Sequence, residues 1–240
     1  MTLALLAGAV LLGAATQRLT GMGFALVSAP LLVFVLGPLT GVQLLQLFGV
    51  VASLIVLVQV WRDVEVRTAI LLLLPALVGI VPGALLARSL PAPILAVLIG
   101  SMVIVALAAV LLSERARVFR GTAGLVSAGL LSGFMNATAA VGGPAVVLYA
   151  VSTKWPHRAF LATVQFYFVG LGAASVAALG WPDLDPTAWA VALSAMAVGL
   201  VLGQFLSHRV RPDVARVLMI GIALAGAIAT VIRGALELAG

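Results

Sequence analysis

The 240-residue chain has no cysteine and only two histidines and two tyrosines, and charged residues make up just 8% of it. Without cysteine there is no disulfide, no thiolate metal site and no thiol nucleophile. His157 and His208 stand at no metal-ligand spacing. The seven acidic residues all fall in loops or at the ends of apolar runs. An intramembrane hydrolase or phosphatase needs a carboxylate, histidine or metal cluster to activate water, and a proton relay needs such groups at depth. The expectation is therefore no enzyme, no catalytic residue, no metal, no cofactor and no carboxylate-based proton pump. A soluble domain carries roughly a quarter charged residues, so a soluble fold of this size is excluded as well. No Lys or Arg precedes Arg18, so the basic n-region of a cleavable signal peptide is missing and the first apolar run reads as permanent.

What remains is 64% hydrophobic with a net charge of +6. The basic residues stand singly between apolar runs, as topology signals do, so nucleic acid is not expected as a partner; the lipid bilayer is. The runs are 2–17, 22–37, 40–60, 68–87 and 93–112, then 122–135, 139–153, 159–180, 187–206 and 214–232. A spanning segment must satisfy its backbone hydrogen bonds internally, so all should be helical. The chain is expected to be an all-α polytopic membrane protein.

The second half repeats the first. A slide of 119 residues puts Gln17 on Asn136, Gly23 on Gly142, Gln46 on Gln165 and Phe48 on Tyr167; a slide of 121 puts Pro91 on Pro212 and Gly100 on Gly221. Charge decides how the repeats are oriented. If each opening pair of short runs enters and leaves on one side, ten basic residues share a compartment. They are Arg62, Arg67, Arg115, Arg117, Arg120, Lys154, Arg158, Arg209, Arg211 and Arg216, with only Arg88 and Arg233 opposite. If each pair makes one broken crossing instead, the two sides tie. The uneven split is the positive-inside pattern, and runs of 14–16 residues are short for crossings that need ~20. Each pair is thus read as a helix–break–helix hairpin. Repeat 1 spans 1–113 (hairpin 2–37, crossings 40–60, 68–87 and 93–112) and repeat 2 spans 122–240 (hairpin 122–153, crossings 159–180, 187–206 and 214–232). Three crossings per repeat make the two repeats inverted within a single transmembrane domain. Both termini are placed outside.

Inverted repeats with broken helices point to a transporter whose substrate sits at the breaks. The first break reads from Gln17 through Arg18, Thr20, Gly21 and Gly23 to Ala25, and the second from Asn136 through Thr138, Gly142 and Gly143 to Pro144. Glycine permits the reversal, and Pro144 suits a first helical turn. The amides of a half-helix N-terminus, at the positive end of its dipole, form an anion site. Glycines alone would signal no more than close helix packing, and the GxxxG spacings by themselves carry no weight in such a composition. Arg18 is the one charge inside an apolar run, and no carboxylate in an apolar core is available to pair with it. It either holds an oxyanion bidentately or snorkels to an interface. Gln46 and Gln165 either line the substrate or brace the hairpin, because a buried amide is costly without partners. Thr138, Tyr149, Thr163 and Tyr167 are weaker candidates for the same lining, and Ser28 and Ser132 can equally bond their own helices.

The segment from Gly129 to Asn136, followed by Val141-Gly142-Gly143-Pro144-Ala145-Val146-Val147-Leu148-Tyr149, resembles the TauE/SafE sulfite exporter family (the 4-toluene sulfonate uptake permease group). That family has a glycine-rich motif opening each repeat. The stretch from Gly21 to Leu32 looks like the first motif, except that Phe24 and Ala25 stand where glycines are usual. The resemblance implies a bacterial inner-membrane transporter of sulfite, sulfoacetate or a related organosulfonate, hence a small anionic substrate, and a homodimer is left open. The alternatives are an anion channel on the same fold and, lower, a membrane enzyme acting on a lipid phosphate or a structural scaffold.

Overall fold

A computed structural model describes residues 2–20, 23–112, 119–207, 209–210 and 212–239, with the side chains at 2, 18–20, 23, 207, 212, 213 and 216 set aside. Ten α-helices and no strand occur among the described residues. They are α1 (Thr2–Thr20), α2 (Gly23–Leu36), α3 (Pro38–Val60), α4 (Val66–Ser89), α5 (Ala92–Leu111), α6 (Gly121–Ala139), α7 (Gly143–Thr153), α8 (His157–Leu179), α9 (Pro186–Ser207) and α10 (Pro212–Ala239), with a 3-10 turn at Trp61–Asp63. Six of them, α3, α4, α5, α8, α9 and α10, are long and apolar enough to cross a membrane. The chain is an all-α polytopic membrane protein. Most helices overrun their apolar runs at one end or both, most of all α10, which reaches Ala239 rather than 232, while α2 and α7 stay within theirs.

The chain forms two compact units. Residues 1–45, 90–104 and 181–240 make the first, and residues 46–89 and 105–180 make the second. The sequence halves are therefore interlaced. In the first unit the hairpin α1/α2 packs on α9 and α10, from the other half of the chain; in the second, α6 packs on α4. Each hairpin finds its cover among helices of the opposite half.

Glycine sets the closest of these approaches. A Cβ at Gly79 would overlap the Leu130 carbonyl, and one at Gly133 would overlap that of Ala76. At Gly83 it would lie 2.6 Å from the Phe134 carbonyl, and at Gly129 2.6 Å from that of Leu72. Gly79/Gly83 on α4 thus lie against Leu130 and Phe134 of α6, and Gly129/Gly133 on α6 against Leu72 and Ala76 of α4, two i,i+4 pairs of the small-xxx-small kind that let membrane helices touch backbone to backbone. GxxxG spacing does carry weight here, against the expectation from composition. In the first unit Gly199 on α9 plays the same part, its Cβ position lying 2.6 Å from the Leu11 carbonyl.

Two arginines close helix ends. Arg88, in the last turn of α4, donates to the carbonyl of Ala178 near the end of α8. Arg233 on α10 donates to the carbonyl of Phe34 near the end of α2, with its guanidinium 4.9 Å from the Phe34 ring centroid. These are the two basic residues that charge counting sets apart from the other ten. A cation beside C-terminal carbonyls satisfies orphan acceptors and opposes the negative end of the dipole, which gives both a local reason for their positions.

Candidate functional site

The second break is shorter than the sequence suggests. Helix α6 continues through Asn136 and Thr138 to Ala139, and only Ala140, Val141 and Gly142 separate it from α7. Ala140 ends α6 in the left-handed conformation (φ 58°), its amide donating to the Asn136 carbonyl at 2.7 Å, while the Val141 amide donates to that of Met135. The bond from Ala140 to Asn136 is that of an αL-type helix stop, built here without glycine. Asn136 and Thr138 therefore point from the last turn of α6 rather than from an unwound segment.

Behind the break lies a set of buried polar side chains. The Asn136 amide donates to Gln46 Oε1 on α3 and to Ser175 Oγ on α8, both at 2.9 Å, and Gln46 Nε2 donates back to the Asn136 carbonyl. One turn earlier on α6, Ser132 Oγ donates to the Gly142 carbonyl at 2.8 Å and accepts from the Tyr167 hydroxyl of α8 at 2.8 Å. Ser132, Tyr167 and Ser175 are fully buried, and Gln46 and Asn136 nearly so. Partnered in this way, the amides and hydroxyls avoid the cost of burying unsatisfied polar groups.

Gly142 lies flush on α6. A Cβ there would meet the Ser132 carbonyl at 2.8 Å and Ser132 Oγ at 2.9 Å. Gly143 has ordinary space, with only the Phe168 ring edge at 3.4 Å, and it is half-buried. No side chain caps the N-terminus of α7, and Pro144 stands in its first turn. A buried helix N-terminus without a side-chain cap presents backbone N–H donors and the positive end of a dipole to whatever occupies the space in front of it.

The first break is built differently. Gln17 Oε1 accepts from the Phe24 amide at 3.1 Å, so a side chain from the end of α1 caps the start of α2. The two helices are joined again where Ser28 Oγ donates to the Ala9 carbonyl at 3.0 Å. Gly21 and the side chains of Arg18 and Thr20 lie outside the described residues, as does the surrounding of Gly23.

The sequence candidates divide accordingly. Gln46, Asn136, Gly142 and Gly143 meet at the second break, and Gln17 serves the first. Thr138 returns its hydroxyl to the Phe134 carbonyl of its own helix, 2.8 Å away, and reaches the Gly83 carbonyl at 3.4 Å. Gln165 is buried on α8. Thr163 accepts from the Glu65 amide at 2.9 Å, and Tyr149 stacks edge-on with Trp155, so neither is placed at the break by these contacts. Ser28 and Ser132 bond neighbouring segments rather than their own helices. Ser175 was not legible, being a small hydroxyl in an alanine-rich stretch of α8, where bonding to its own backbone is the ordinary expectation. Among the described residues no three His, Asp or Glu side chains cluster as metal ligands.

A family model described as sulfite exporter TauE/SafE matches residues 5–230. The chain belongs to the TauE/SafE sulfite exporter family. It is accordingly a multi-pass membrane transporter rather than an enzyme, from a family that moves sulfite and related sulfur anions. Its partners are a small anion and membrane lipid. No curated protein and no solved structure matches the chain significantly.

Proposed function

We propose that the chain is a secondary transporter, working as an exporter, for a small sulfur oxyanion or organosulfonate such as sulfite or sulfoacetate. The observation that carries this reading is the N-terminus of α7, which is buried, without a side-chain cap and braced from behind by Ser132, Asn136 and Gln46. An oxyanion is an array of acceptors with negative charge, which is what such a terminus accommodates. In this proposal the backbone around Gly142 and Gly143 holds the oxyanion at the second break. Gln46, Asn136 and Thr138 brace the break, and Gln165 lines or braces the transport path. Gln17, Arg18, Thr20, Gly21 and Gly23 form the counterpart at the first break, where Arg18 supplies the one full positive charge. Transport proceeds by alternating access of two inverted repeats.

The ten-to-two charge split favours both termini on the side opposite the ten basic residues, which in a bacterial inner membrane is the periplasm. With the interior negative, moving one anion outward is favourable by about 2.3 kcal/mol per 100 mV, so export needs no coupling ion. The test is flux of sulfite, sulfoacetate, thiosulfate, sulfate and chloride in proteoliposomes, each with and without a membrane potential. The expected result is saturable, potential-driven flux of a sulfur anion, stimulated by counter-transport. Linear, unstimulated flux would indicate a channel. Absence of flux for every sulfur anion from folded protein would overturn the reading.

A further inference from the structure

We infer that Ser132 and Tyr167 are positioning residues that aim the backbone amide of Gly143 at the transported anion. The inference rests on the proposed function and adds to it the two side chains that set the direction of the donor.

One peptide unit sets the direction of the donor. The carbonyl of Gly142 and the N–H of Gly143 belong to the same planar peptide, and in a trans peptide they point in opposite directions; no cis peptide is present among the described residues. Fixing the carbonyl therefore fixes the amide. Ser132 Oγ holds the Gly142 carbonyl at 2.8 Å from the α6 side, so the Gly143 N–H points away from α6. Gly143 itself is not crowded, a Cβ there meeting only the Phe168 ring at 3.4 Å, whereas Gly142 is closed in by Ser132 and by Asn136 Cβ at 3.0 Å.

The direction of the hydrogen bonds follows from what each group can do. A carbonyl only accepts, so Ser132 must donate to Gly142. Its single proton is then committed, and the 2.8 Å contact with Tyr167 requires the phenol to donate to Ser132. With both its roles filled, the Ser132 hydroxyl has no free rotor, and the chain Tyr167 → Ser132 → Gly142 carries the rigidity of α8 through α6 to the break. Neither hydroxyl reaches water, since both residues are fully buried, so no solvent molecule replaces a bond that is removed. A hydroxyl pair that served only to join α6 to α8 would have no need to end on the carbonyl of the break.

The experiment compares wild type with Tyr167→Phe, Ser132→Ala and the double variant, reading KM and Vmax for sulfite and sulfoacetate flux in proteoliposomes. It also follows amide exchange over residues 140–147. Tyr167→Phe keeps the ring and its packing, so it stays informative if Ser132→Ala folds poorly. Each single variant is expected to raise KM about three- to tenfold, the range for one net hydrogen bond, with Vmax within about twofold. The double variant should lose little more than either single one, because the two residues act in one chain. Exchange should accelerate at 140–147 in both. Ser127→Ala, which removes a hydroxyl bonded to its own helix at the Ala123 carbonyl, should change nothing. Lower thermal stability of Tyr167→Phe with unchanged KM and unchanged exchange at 140–147 would overturn the inference and leave the proposed function standing. A folded wild type that carries no sulfur anion would overturn both.

Discussion

The two breaks occupy matching places in the sequence and are closed in opposite ways. At the first, Gln17 bends over the start of α2 and caps it through the Phe24 amide. At the second, Asn136, which a slide of 119 aligns with Gln17, leaves the start of α7 uncapped and turns to Gln46 and Ser175. One methylene separates the two side chains. The longer one reaches forward across the turn to the next helix, and the shorter one stays within the last turn of its own. Two polar positions that a slide of 119 residues superposes thus serve different ends. One caps a helix, and the other holds a platform behind an open end.

Substitutions at the two breaks test that contrast. The largest effect is expected where the second break rests on backbone. Gly133→Ala puts a methyl into the Ala76 carbonyl, and Gly142→Ala puts one 2.8 Å from that of Ser132. Neither partner is a side chain that can swing aside, so each should cost several kcal/mol and abolish transport, seen as loss of a monodisperse, thermally stable protein. A Gly142→Ala variant with wild-type melting and flux would show that the break is not seated on α6.

Asn136→Leu leaves Gln46 Oε1 buried without its Asn136 donor and should destabilise by about 1–3 kcal/mol. Gln17→Ala removes one helix cap, for about 1 kcal/mol. Equal losses by thermal melting would erase the distinction between brace and cap. Asn136→Gln is a direct exchange of roles: if side-chain length is the cause, the longer amide caps α7 and occupies the anion's place, raising KM for sulfite without a comparable loss of stability. The smallest effect is expected at Ala140. A non-glycine residue at φ 58° carries roughly 1 kcal/mol of strain, so Ala140→Gly should raise the melting temperature slightly while leaving flux unchanged.

The helices and the places of the breaks follow from the composition and the apolar runs, because a chain in lipid has few other ways to satisfy its backbone. The motif around Gly142-Gly143-Pro144 carries the family, and the family model covers nearly the whole chain. Which helices pack together was less legible. The interlacing of the halves depends on which small-residue faces meet, and alanine- and glycine-rich helices offer many equivalent faces. The Gly79/Gly83 and Gly129/Gly133 pairs look in sequence like any other glycines in a chain that contains 25 of them. Among the site residues, Gln46 and Asn136 stood out because amides are rare in apolar runs. Ser132, Tyr167 and Ser175 matter through partners far away in sequence, and a lone hydroxyl does not reveal its partner.

The most direct test of an anion seat at the start of α7 is a titration of protein labelled with 15N-glycine, following the Gly143 amide resonance as sulfite or sulfoacetate is added. Gly143→Ala assigns the peak, since its Cβ meets only the Phe168 ring at 3.4 Å and the variant should fold. An anion seated there shifts that resonance saturably, at concentrations matching the KM for flux. Saturable flux with the Gly143 amide unmoved would contradict such a seat.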